Sequence, residues 1–329
     1  MKRSLKQPSI RFFGALGFSF AGMLARAQTG SETLSYFGTI GQGNAAIVAA
    51  NGQDVADNAC VPTATANGLT YLENYYNFAL DEPSPFSTSP NTTTQVNNLI
   101  TAMQTTRDGT QTDNEFNGLV SYLSPTGANP SPSVKVTGQY SPLTPGGWLA
   151  GTGFPAGVAN VNPTVSYLAN ALNANDGVEL GIQWGSTSGG TFTPSRGGHE
   201  VTLQSISFNP TSDTGSITFI DPWGTTQTDG GGNRHAGGTA EVVGDTFSAS
   251  LSVDQNGLLV ITYPLPYDGL NAPQDNGTAI GDQTGQVARI LDDTVEYVVP
   301  EPSTYIAGIL ILIPFGRQVM RRFRLLRSA

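Results

Sequence analysis

"DNACVPTATANGLTYL", residues 57–72, decides how this chain is read. Cys60 is the only cysteine among 329 residues. Pro62 stands two places after it, a position that suits the first turn of a helix, where an N–H has no intrahelical partner to lose. Leu69, Leu72, Tyr76 and Leu80 then recur at helical spacing. The stretch predicts a helix that begins at or beside Cys60 and is broken by "DEPSPFSTSPN" (81–91). A thiol at that end meets bare backbone N–H groups and the positive end of the helix dipole, which favour thiolate over thiol. A lone cysteine is otherwise a small buried hydrophobe. To be a nucleophile it needs a base within reach and a group that orients the base.

Both are available downstream. His199 opens the alternating run "HEVTLQSISF" (199–208), and Asp221 lies in "GSITFIDPWG" (215–224). If these strands pair antiparallel through the turn Asn209–Thr214, their far ends meet and His199 stands beside Asp221. Apolar residues at helical spacing predict helices around Val96–Met103 and Phe116–Leu123, and another over 163–176. Strands are predicted at 134–140, 177–185, 246–253 and 257–264. Helices first and strands later is the pattern of an α+β protein: a helical N-terminal part, with Cys60 at a helix N-terminus, packed on an antiparallel sheet. Trp184 and Trp223 read as core or cleft-wall aromatics, and His235 as a solvated residue of the Gly-rich loop "TDGGGNRHAGG".

Three of these stretches together resemble the papain-like cysteine peptidases, and within them the branch of the bacteriocin-transporter leader peptidases. "NACVPTATANGLTYL" resembles the nucleophile helix, "GGHEVTLQSI" the Gly-His strand and "SITFIDPWG" the Asp-Pro segment. "YLANALNANDGVELGIQWG" is similar to the lead-in, so the likeness covers roughly residues 50–225. The resemblance implies a papain-like domain over 28–264, with Cys60 as nucleophile, His199 as base and Asp221 as orienter. It implies a peptide or protein substrate and neither metal nor organic cofactor. The backbone N–H of Cys60 would form half of an oxyanion hole. The family's side-chain donor is usually a Gln shortly before the Cys. Here Gln53 stands seven residues upstream, one more than usual, and Asn58 is the alternative. Val61 occupies a place where Gly often follows the Cys.

The ends carry addresses. Residues 1–27 read as a signal peptide: a basic start, an apolar stretch from Phe12 to Leu24, then Ala25-Arg26-Ala27 as the cleavage site. At the other end, Val299-Pro300-Glu301-Pro302-Ser303 precedes an apolar run and five arginines, Arg317 to Arg327. That order resembles the PEP-CTERM sorting tail of Gram-negative bacteria (299–329 here). It implies transient membrane anchoring through the C-terminus, an exosortase-type processing enzyme as partner, and a place at the cell surface or in the extracellular matrix. Residues 265–298 read as a polar spacer, with "TVEYVV" (294–299) open to reading as a last strand.

Between residue 27 and the apolar run that follows Ser303 there are 5 basic residues against 25 acidic ones, a net charge of −20. Such a body repels nucleic acid and anionic headgroups. One cysteine and two histidines are too few for an ordinary zinc site. Asp292-Asp293 has the chemistry to touch calcium, but no EF-hand spacing surrounds it. A reading from a different class stays open beside the peptidase: a non-catalytic surface or matrix protein that keeps a papain-like fold for binding.

Overall fold

In a computed structural model, the described residues form nine strands and six helices, a helical N-terminal part packed on a large, mostly antiparallel sheet. The structure describes residues 28–32, 36–77, 80, 90–124, 126–127, 133–189, 191–223, 244–262 and 287–299. Residues 1–27, read above as a signal peptide, His235 and the residues beyond Val299 lie outside these residues. Among the described residues no helix is long and apolar enough to cross a membrane.

Strand β1 (Gln28–Ser31) is followed by the short helices α1 (Ala45–Asn51) and α2 (Gln53–Ala56) and by the central helix α3 (Cys60–Tyr76). Every residue of α3 from Val61 to Glu73 is buried. Its threonines satisfy their hydroxyls on the helix itself: Thr63 donates to Ala59 O, Thr65 to Val61 O and Thr70 to Ala66 O. A polar helix can therefore sit in a core without stranded donors. The helix stops sooner than the apolar spacing predicts. Asn77 takes a left-handed conformation (φ 56°) and caps it, and Leu80 is buried beyond the cap.

Helices α4 (Pro90–Ala102) and α5 (Thr112–Tyr122) complete the helical layer, and strands β2 (Val134–Tyr140) and β3 (Val158–Asn160) and helix α6 (Val165–Ala174) follow. Thr164 caps α6 by accepting from Tyr167 N at 3.3 Å. The rest is strand: β4 (Gly177–Ser188), β5 (Thr191–Asn209), β6 (Thr214–Asp221), β7 (Asp245–Val253), β8 (Leu259–Thr262) and β9 (Val287–Val298). The pairing runs β5-β6-β7-β8-β9, and β4 pairs with both β5 and β9, closing a ring of six strands. Inside the ring, Leu180, Leu203, Phe219, Leu251, Ile261 and Ile290 belong to one apolar core. A second core, with Ile47, Leu69, Leu72, Leu99, Met103 and Leu119, lies in the helical part.

Two expectations change. Strand β5 begins eight residues before His199, because Thr191–Pro194 continues the ladder with β4 across a bulge at Gln183/Gly185. The spacer reading of 265–298 does not hold for residues 287–298. These form β9, paired with β2, β4 and β8. Asp292, Asp293 and Glu296 make the stretch look solvated, yet all three are buried.

Small residues set the distance between helix and sheet. Thr202 of β5 donates to Ala64 O at 2.8 Å, and a Cβ on Gly68 would come within 2.0 Å of Glu179 Oε1 on β4. This close approach brings the first turn of α3 against the strand that carries His199.

Candidate active site

Cys60 is the first residue of α3, half-buried and free. The N-cap residue, Ala59, makes no side-chain cap hydrogen bond, and Pro62 has no N–H, so the first turn turns few and uncapped donors toward the thiol. His199 comes from β5. Asp221 is the last residue of β6. The hairpin turns at Asn209↔Thr214 and pairs Thr202 with Ile220, which brings the far ends of the two strands together.

His199 Nε2 lies 2.7 Å from Asp221 Oδ1. The same oxygen accepts Trp223 N–H at 2.8 Å, so the carboxylate is fixed by its own turn. Nε2 faces Asp221, and the Cys60 side chain is near enough to the imidazole to favour its charged form. The Trp184 ring stacks on the imidazole, with centroids 6.2 Å apart and planes 18° apart. Trp148 covers the adjoining strand so closely that a Cβ on Gly198 would lie 2.6 Å from its ring.

Burial pushes the His199 imidazolium toward losing its proton. The Asp221 carboxylate and the Cys60 side chain outweigh that and raise its pKa from 6.5 to about 10. The imidazole is therefore charged at neutral pH, as a proton donor to a leaving group must be.

These side chains open on a cleft of about 410 Å³. Cys60, Asn58, Gln42, His199, Trp148 and Trp223 are among its walls. The structure does not bring Gln53 into it. Gln53 is exposed on α2, where its amide donates to Asp57 Oδ1 at 2.8 Å. Asn58 is in the wall, and its amide donates to Asp54 O at 2.9 Å. Sequence reasoning missed Gln42, which is fully buried in the wall. Its amide donates one hydrogen to Asp57 O, and an NH₂ carries two. Gln42 N also donates to Pro222 O at 2.9 Å, joining this segment to the Asp221 turn. That link is tertiary and leaves no local signal 18 positions before the cysteine.

A second group was visible in the sequence only at Asp292. Glu115 of α5, Glu200 of β5 and Asp292 of β9 line the same cleft, and one oxygen from each lies within 4.8 Å of the others. Behind them, Glu179 and Glu296 meet side chain to side chain, and Asp293 Oδ1 accepts Gln139 N at 3.1 Å. Burial raises all six carboxyls, Asp292 and Glu296 to about 7. No protein-family model, curated protein or solved structure matches this chain.

Proposed function

We propose that the protein is an exported thiol peptidase of papain-like architecture, with Cys60, His199 and Asp221 as its catalytic triad. One observation carries the reading. One imidazole meets the buried Asp221 carboxylate at 2.7 Å and is held in its charged form by that carboxylate and by the Cys60 side chain, the only thiol of the chain, at the wall of a cleft. The helical part supplies the thiol and the sheet supplies imidazole and carboxylate, in the chain order that the resemblance implies.

In this reading the Cys60 proton resides on His199, and the thiolate attacks the carbonyl carbon of a peptide or amide bond. The oxyanion that forms is held by the Cys60 backbone N–H, with the second amide hydrogen of Gln42 as side-chain donor. As the C–N bond breaks, His199 gives its proton to the leaving amine. A water then loses a proton to His199 and attacks the thioester, releasing the acid and restoring the thiol. Asp221 keeps the ring oriented throughout. Export rests on residues 1–27 and surface sorting on the tail from Val299.

The test is a search for new N-termini in a complex peptide mixture, comparing the protein with its Cys60→Ala variant. Cleavage by the first and not by the second supports the reading. A mixture left unchanged by both overturns it and favours the surface protein that binds without catalysis.

A further inference from the structure

We propose that Glu115, Glu200 and Asp292 form a binding site for one hard divalent cation of the calcium type in the cleft wall. The three come from different elements, α5, β5 and β9, so no loop motif announces them. They are nearly closed to solvent, at 2%, 2% and 3% exposure. An oxygen from each lies within 4.8 Å of the others. Calcium bonds oxygen at about 2.3–2.6 Å, so ligands across one ion stand up to about 5 Å apart, and these carboxylates need not move to share one.

The decisive observation lies in the unmatched oxygens. Glu200 Oε1 has no hydrogen-bond partner, and Asp292 Oδ1 has no well-formed one, the Gly181 N–H being the one backbone donor that acts on the Asp292 carboxyl. A buried carboxylate oxygen without a donor is strongly disfavoured, and a cation supplies what the protein does not. The remaining bonds hold the ligands in place: Thr294 donates to Glu115, and Thr112 to Asp292 Oδ2 at 3.4 Å. Among the described residues lining the cleft there is no Lys or Arg to take the ion's role, and the His199 imidazolium is engaged by Asp221 at 2.7 Å. Arg289, three residues before Asp292, is committed elsewhere, donating to Gln183 at 2.8 Å and lying 3.6 Å from Asp254. All donors are oxygen, which selects calcium over zinc or copper, and the cleft admits the waters that complete six to eight ligands. The proposal is independent of the peptidase reading, since it concerns binding alone.

The competing state is a cluster that sheds its charge by holding protons, and burial does push all three carboxyls upward. Terbium, a calcium surrogate, separates the two. Excited through tryptophan, a terbium ion in the cleft should luminesce, because Trp148, Trp184 and Trp223 all line it. One terbium per chain is expected at pH 7, displaced by calcium more readily than by magnesium. Changing an outer-shell partner of a metal ligand already weakens metal by about 10- to 100-fold, so Glu200→Gln and Asp292→Asn should each weaken calcium at least that much. Each removes a buried charge, and in chelator neither should unfold more easily than the parent. Should a variant fail to fold, luminescence and calcium competition in the unaltered chain still decide. Absence of saturable binding at about 10 mM calcium, well above what extracellular calcium modules need, overturns the proposal. So does terbium bound without tryptophan sensitisation, calcium affinity unchanged in both folded variants, or magnesium bound more tightly than calcium.

Discussion

Glu296→Gln is expected to make the protein more stable at pH 8 and to leave it unchanged at pH 4. Glu296 is fully buried on β9. Burial raises its carboxyl from 4.5 to about 7, although the neighbouring Glu179 side chain works the other way. Two buried carboxyls in contact cannot both ionise, and Glu179 is pushed up well beyond its ordinary range. A folded-state pKa above the unfolded one means the folded chain holds its proton more tightly. Stability is then complete below the unfolded value near 4.5 and is lost as pH rises to about 7. At about 1.4 kcal/mol for each tenfold change in proton affinity, the loss is about 3 kcal/mol. Glutamine has the same shape and no charge to acquire, so the variant avoids this loss. Urea unfolding of both proteins in chelator, at steps from pH 4 to pH 8, reads the difference directly. The reasoning fails if the two curves run parallel across the range, or if the variant is the less stable one at pH 8.

Three further outcomes are expected. Asp221→Asn removes the charge that holds the His199 imidazolium, so thiol-dependent turnover of the folded variant should fall by about 10²–10⁴-fold, and the urea midpoint at pH 8 should fall too, because a folded His199 pKa of about 10 means that the pair stabilises the fold there; equal turnover would remove Asp221 from the site. Asp113 accepts from Ala150 N at 2.6 Å, Thr152 N at 2.7 Å and Thr152 Oγ1 at 2.9 Å. Asp113→Ala should therefore lower stability by about 3 kcal/mol and expose the 144–157 segment to proteolysis. Burial pushes the Asp113 carboxyl up, but those donors outweigh it and hold it below the usual range, so its contribution is present above about pH 4 and vanishes on acidification through its lower folded value. At the C-terminus, surface-released protein from the native host should lack the residues beyond about Thr304 by intact mass; a released chain that keeps Arg321 to Arg327 would mark the tail as an ordinary anchor.

The elements that position Cys60, His199 and Asp221 were legible because their signals are local. Pro62 and the spacing from Leu69 onward mark the start of α3, and alternation on either side of Asn209–Thr214 marks the β5–β6 hairpin. Geometry then brings His199 to Asp221 without further information. The acid group was not legible, since strands buried on both faces lose the alternation by which strands are recognised. "RILDDTVEYV" in β9 reads as solvated until β2, β4 and β8 are seen around it. Asp292-Asp293 drew notice for its chemistry, but Glu115 and Glu200 lie 177 and 92 positions away in the chain. Gln42 escaped for a similar reason: a backbone bond to Pro222 O, far along the chain, places it in the wall.

The claim that Cys60 is a nucleophile activated by His199 is tested most directly by covalent capture. Folded protein, its His199→Ala variant and urea-unfolded protein are exposed to a peptidyl electrophile at pH 6, and adducts are followed by intact mass. A free thiol has a pKa of about 8.5 and reacts slowly there, so the folded protein should label once, at Cys60, at least about 10-fold faster than either control. Equal rates in all three, or a thiol that reacts only after unfolding, would contradict the account.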